Sequence, residues 1–110
     1  MPMPNPADCP VIRAARIIGK PWRLVVVDRL LSGPKTYNQL LKSLPGISSR
    51  TLSRILKELQ EVGLVVRVCE GVGERNHYAL TERGRELGPI IASLRRWSQK
   101  WIMGAEVVEG

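Results

Sequence analysis

Apolar residues recur at three- and four-residue steps through most of this chain and alternate in only one stretch. The clearest stripe is Leu52, Ile55, Leu56 and Leu59, which is the helical period for a single buried face. Arg50, Ser53, Arg54 and Lys57 follow the same period on the opposite side, and no acid interrupts them before Glu58. The spacing predicts a helix over about 49–62, with Ser48 as its N-cap and Gly63 as its stop. Upstream, Cys9-Pro10 opens a first short helix carrying Val11, Ala14, Ala15, Ile17 and Ile18, and Gly19 ends it. Pro21 starts a second helix through about Leu31, with Trp22, Val25, Val26, Leu30 and Leu31 inward. Leu24-Val25-Val26-Val27 would also suit a strand. Asp28-Arg29 would break a strand's alternation, however, whereas Leu30-Leu31 continue the helical face. Ser32-Gly33-Pro34 is a stop, and Lys35-Thr36 has room for a short strand. Thr36 and Gln39 fit a capping box for a third helix to Leu44, which Pro45-Gly46-Ile47-Ser48 cannot continue.

The period then changes. Leu64-Val65-Val66-Arg67-Val68-Cys69-Glu70 reads as a strand with Leu64, Val66 and Val68 inward. Gly71-Val72-Gly73-Glu74 is a turn, and residues 75–80 return with Tyr78 and Leu80 inward. Two short helices joined by a four-residue turn, the second one basic, match a helix-turn-helix, and the hairpin after them is a wing over about 64–80. Thr81-Glu82 caps a further helix, in which Pro89 either starts a separate segment or kinks a continuous one. Leu87, Ile90, Leu94, Trp97 and Trp101 form a heptad-like seam. Such a seam either caps the chain's own core or meets a second copy. Two tryptophans so near the end are hard to bury within a short core, which favours a homodimer interface. The expected fold is therefore α+β and mostly helical: a winged helix-turn-helix with a β-hairpin wing and a C-terminal dimerisation helix. It occupies one domain, residues 9–103, between a flexible proline-rich arm at 1–8 and a disordered tail at 104–110.

Composition narrows the partner. The 110 residues are 44% apolar and 25% charged with a net charge of +7, ordinary for one globular domain but distinctly basic. Residues 1–62 hold ten Lys/Arg against four Asp/Glu, whereas residues 63–110 hold seven against six. The excess lies in the half that carries the basic helix, and a polyanion is its natural partner. No apolar run is long enough to span a membrane, and the N-terminus lacks the pattern of a secretory signal. A cytoplasmic location follows as the expectation, with Cys9 and Cys69 as free thiols. A single histidine, His77, and two separated cysteines lack the spacing of a closed zinc site or a nucleophile–base pair. Gly71-x-Gly73 is a hairpin turn rather than a phosphate loop. With few aromatics and no Phe, a base-stacking single-strand binder fits badly. Neither enzymatic activity nor a cofactor is expected.

This order of elements resembles the HxlR-type family of winged helix-turn-helix transcription regulators. The matching pieces are Cys9-Pro10-Val11, Ile18-Gly19 before Trp22, Tyr37-Asn38-Gln39-Leu40, and Leu44-Pro45-Gly46-Ile47-Ser48. Gly63-Leu64-Val65 and Tyr78-Ala79-Leu80-Thr81 with Gly84 complete the set, which covers residues 9 to about 103. The resemblance implies homodimers on roughly palindromic operators. Their first and last helices form the interface, the helix from Ser49 enters the major groove, and the wing meets the minor groove or backbone. Three departures stand out. Pro21 precedes Trp22 where a lysine is usual, so a phosphate contact there passes to Lys20 or is lost. Gln39 replaces an acid, and Asn76-His77 makes the wing less acidic.

Candidate double-stranded DNA contacts are therefore Ser48, Ser49, Arg50, Thr51, Ser53, Arg54 and Lys57: cations for phosphates, hydrogen-bonding tips for base edges. Arg75 in the wing either touches the backbone or minor groove or pairs with Glu74. Cys9 is either a buried or capping thiol without reactivity or a redox sensor, as the resemblance implies for some relatives; Cys69 reads as structural. A small-molecule effector has no residue pattern of its own. The competing class is a winged helix that serves as a protein–protein module in a larger complex, against which the basic outer face of residues 50–57 speaks.

Overall fold

The computed structural model describes residues 9–69 and 76–104. The expected arm at 1–8, the wing tip with Gly71, Gly73, Glu74 and Arg75, and residues 105–110 of the expected tail lie outside them. Helix α1 spans Pro10–Ile18 and α2 spans Pro21–Leu30, each with its proline in the first turn, where a missing N–H costs nothing. The two-residue strand β1, Lys35–Thr36, leads into α3, Tyr37–Ser43. The capping box there is complete: the Gln39 amide donates to Thr36 Oγ1 at 3.2 Å and the Thr36 amide donates to Gln39 Oε1 at 2.8 Å. Gln39 thus makes the reciprocal bond that an acid would make. Helix α4, Ser49–Glu61, follows the Pro45–Ser48 turn, in which Gly46 takes a positive φ of 92°.

Strands β2, Val65–Val68, and β3, His77–Leu80, form the hairpin, and β1 pairs on the far side of β3. The small sheet is antiparallel in the order β1-β3-β2, with Val65 opposite Leu80 and Thr36 opposite His77. Thr81 caps a single turn, α5 at Glu82–Arg85, before α6, Gly88–Ser98, which runs on into a π-helical turn at Gln99–Met103. Pro89 therefore opens a separate helix rather than kinking a continuous one. Gly104 is helical as well, so the order reaches one residue into the expected tail. Among the described residues, no helix is long and apolar enough to cross a membrane.

The core lies between α2, α3, α4 and the sheet, and is built on Val26, Val27, Leu30, Leu40, Leu44, Leu52, Ile55, Leu56, Leu59, Leu64, Val65 and Leu80. Several expected orientations differ. Leu31 is exposed while Val27 is fully buried, because the buried face of α2 runs through Arg23, Val26, Val27 and Leu30 rather than through Trp22 and Val25. In the first wing strand Val65 is buried and Val66 is 44% exposed, opposite to the expected alternation. The cause is the end of α4. Gly63, at φ 78°, lets the Leu64 amide reach back to the Leu59 carbonyl and its own amide reach that of Gln60. That closes the helix in a Schellman turn with Leu64 as its apolar follower. Leu64 belongs to the helix terminus, so the strand begins at Val65, which turns inward while Val66 turns out; Arg67 is exposed and Val68 half-buried. Gly84 answers a second close approach, since a Cβ there would stand 2.3 Å from the Leu64 carbonyl oxygen. Cys69 is exposed at the end of β2, not packed as a structural thiol.

Candidate nucleic-acid interface

Helix α4 is positioned by its own leucines. Leu52, Ile55, Leu56 and Leu59 are all buried to within 2%, each contributing roughly 1.5–3 kcal/mol relative to exposure. The opposite face is left in solvent with Ser49, Arg50, Ser53, Arg54 and Lys57. Ser48 caps the helix: its hydroxyl accepts from the Thr51 amide at 3.1 Å and donates to Thr51 Oγ1 at 2.9 Å. Among the described residues nothing ion-pairs with Arg50 or Lys57. Arg54 lies 3.8 Å from Glu58 Oε2 through Nε, on a side chain that remains mostly exposed. Seven of the eight expected contact residues thus sit at the start or along one side of α4; Arg75 falls outside the described residues.

Three residues shape this face through pairings that the linear pattern did not signal. Arg23 is only 8% exposed. Its guanidinium donates to Glu58 Oε1 from Nε at 3.1 Å and Nη2 at 2.9 Å, and to the Ile17 carbonyl from Nη1 at 2.7 Å. One side chain therefore ties the end of α1 to α4. Glu58 is the acid that would otherwise oppose phosphate on this helix, and its charge is met by Arg23, Lys20 at 3.9 Å and Arg54. Hydrogen bonding from Arg23, then the Lys20, Arg23 and Arg54 charges, outweigh desolvation and hold its carboxyl below the usual range. Lys20 remains exposed beside α4, where the resemblance placed a displaced phosphate contact. The third residue is Tyr37, whose hydroxyl crosses from α3 to donate to the Ser49 carbonyl at 2.7 Å and lies 3.1 Å from Ser53 Oγ.

These elements are a helix-turn-helix, α3 and α4, with a hairpin directly behind it. Residues 17–106 match the sequence pattern of the HxlR-like helix-turn-helix family. The chain belongs to that family. It is therefore a helix-turn-helix transcriptional regulator of the DNA-binding kind, and not an enzyme. The HTH-type transcriptional regulator YvaP of Bacillus subtilis is 36% identical over 91 residues, covering 82% of this chain and 84% of that protein. The reduced form of YodB from B. subtilis superposes with a TM-score of 0.72 at 28% identity over 86% of this chain and 94% of that one. The redox regulator HypR in its reduced form gives 0.79 at 30% identity, over 92% and 98%.

The far side of the HxlR-like chain holds the other expected set. Ile90, Leu94, Trp97 and Trp101 are about half exposed or more, and Ile102 and Met103 extend the same apolar surface. Leu87 departs from the expected seam: it is 9% exposed and packs in the chain's own core. An apolar groove lined by Val11, Ala14, Ile18, Leu24, Ile90 and Leu94 separates α1 from α6. Helix α1 has an apolar side yet no buried residue, Val11 being 75% exposed. Cys9 is half-buried in the N-cap position of α1, where its side chain makes no capping bond. His77 is half-buried in β3.

Proposed function

We propose that the chain acts in the cytoplasm as a homodimer on a roughly palindromic double-stranded operator. Helix α4 of each protomer enters the major groove, and the wing lies on the minor groove or backbone. The observation that carries this is the exposed face of α4. It offers Arg50 and Lys57, without an ion pair among the described residues, beside Ser49, Ser53 and Arg54, while the nearby acid is neutralised by Arg23. Ser48 and Thr51 at the capped N-terminus suit phosphate or base edges, and Arg75 in the wing is assigned to backbone or minor groove. Three exposed cations along one helix face suit a polyanion better than the docking surface of a protein–protein module. The dimer rests on Ile90, Leu94, Trp97 and Trp101, joined by α1, which packs Ile18 against the core but has no fully buried residue in the monomer. A nine-residue helix is unstable without such burial.

Selecting bound duplexes from a genomic fragment pool, followed by fluorescence titration, tests the assignment. Arg50→Ala and Arg54→Ala are each expected to relax preference by about 1–3 kcal/mol at the contacted base. Unchanged specific affinity for both variants removes α4 from the groove. Cys9 is the residue to examine for a redox input, given the likeness to HypR. Loss of duplex binding under mild oxidant, reversed by reductant and absent in Cys9→Ser, assigns the sensor; indifference to oxidant ends it.

A further inference from the structure

Ser53 carries a hydroxyl whose proton is already committed. Tyr37, the first residue of α3, places its phenolic oxygen 2.7 Å from the Ser49 carbonyl and 3.1 Å from Ser53 Oγ. A carbonyl oxygen has no proton, so the phenol gives it the only proton it has. Toward Ser53 the phenol can then only accept, and the Ser53 hydroxyl must be the donor. On the exposed side of α4, Ser53 is left with lone pairs alone. Two residues earlier the polarity is reversed: Thr51 Oγ1 accepts from Ser48 at 2.9 Å and keeps its own proton for an outside acceptor.

We propose that Tyr37 is a specificity-determining positioning residue, which makes Ser53 an obligate hydrogen-bond acceptor in the groove. The inference rests on α4 being the helix that reads the major groove. In that groove adenine N6 and cytosine N4 are donors, whereas guanine O6 and N7 and thymine O4 are acceptors. An acceptor-only Ser53 bonds the amino bases and meets the keto bases lone pair to lone pair. Phosphate oxygens carry no proton either, so Ser53 is a base reader and not a backbone anchor. The discrimination is that of a single neutral hydrogen bond, about fivefold.

The test uses the full chain and a randomised duplex pool, with wild type, Ser53→Ala, Tyr37→Phe and Arg50→Ala selected in parallel. Wild type is expected to favour adenine or cytosine over guanine or thymine about fivefold at one position of each half-site, and Ser53→Ala to lose the preference there alone. Tyr37→Phe keeps the ring that packs against the core and frees the Ser53 proton. It should preserve binding and every other preference while this one collapses. In a selected duplex, replacing that adenine or cytosine by its deamino analogue should weaken wild type by the same factor and leave Ser53→Ala unmoved. A keto preference at the position marked by Ser53→Ala, no marked position, or an undiminished preference in Tyr37→Phe overturns the proton assignment. If Arg50→Ala meanwhile shifts a position of its own, the groove assignment of α4 survives that failure. A pool from which nothing is enriched overturns both.

Discussion

Arg23 does more than fill space. A guanidinium this buried persists because three of its N–H groups find acceptors on two other helices. Replacing it by methionine keeps most of the volume and strands those acceptors, so Arg23→Met should lower stability by about 2 kcal/mol, read by urea unfolding. The pH dependence follows from Glu58. Its carboxyl is held below the ordinary range in the folded chain, so its contribution is complete above that range. The contribution is lost as pH falls through the lowered folded value. The gap between wild type and Arg23→Met should accordingly narrow on acidification. It should not close, because the bond to the Ile17 carbonyl stays lost. A gap that is constant with pH would mean that Glu58 gains nothing from Arg23.

Helix α4 is set by what happens at its two ends. Ser48 holds the first turn and aligns Thr51, while Gly63 and Leu64 close the last turn and deliver the chain into the wing. Ser48→Ala should cost about 1 kcal/mol of stability and fray the turn that presents Ser49 and Arg50. Duplex affinity should therefore fall even where the helix content, followed by circular dichroism, changes little. Equal affinity with reduced stability would show that the first turn is held by the DNA rather than by the cap. Helix α1 behaves differently. It is anchored within the monomer by the bond from Arg23 to the Ile17 carbonyl and by Ile18 against the core, and it leaves Val11 and Ile17 exposed.

The molecule as a whole has two faces with opposite needs, a cationic one on α4 and an apolar one on α1 and α6. Leaving Trp97 at 58% and Trp101 at 62% exposed is costly for a monomer in water. Light scattering should give twice the 12.3 kDa chain mass, and Trp97→Glu should shift it toward the monomer and reduce operator affinity along with it. A monomeric wild type at working concentration would refute the dimer. Affinity should also fall linearly on a log–log plot with salt, by a slope near the number of phosphates neutralised.

The legible parts of the fold were those written within a few residues of one another. The buried stripe of α4, the Thr36–Gln39 box, the Pro45–Ser48 turn and the Gly63 stop each follow from backbone period or from a bond spanning three or four residues. The family likeness lies in the same local words, and it too was readable. What the linear pattern could not supply were meetings between distant positions: Arg23 with Glu58, 35 residues apart, and Tyr37 with Ser53, 16 apart. Leu87 joining the core belongs to the same class, whereas Val65 turns inward because the Gly63–Leu64 helix end takes up one residue of the alternation. Period and capping constrain a residue's own turn. Which carboxylate a buried guanidinium finds is settled only when the helices close on one another and every buried polar group must find a partner.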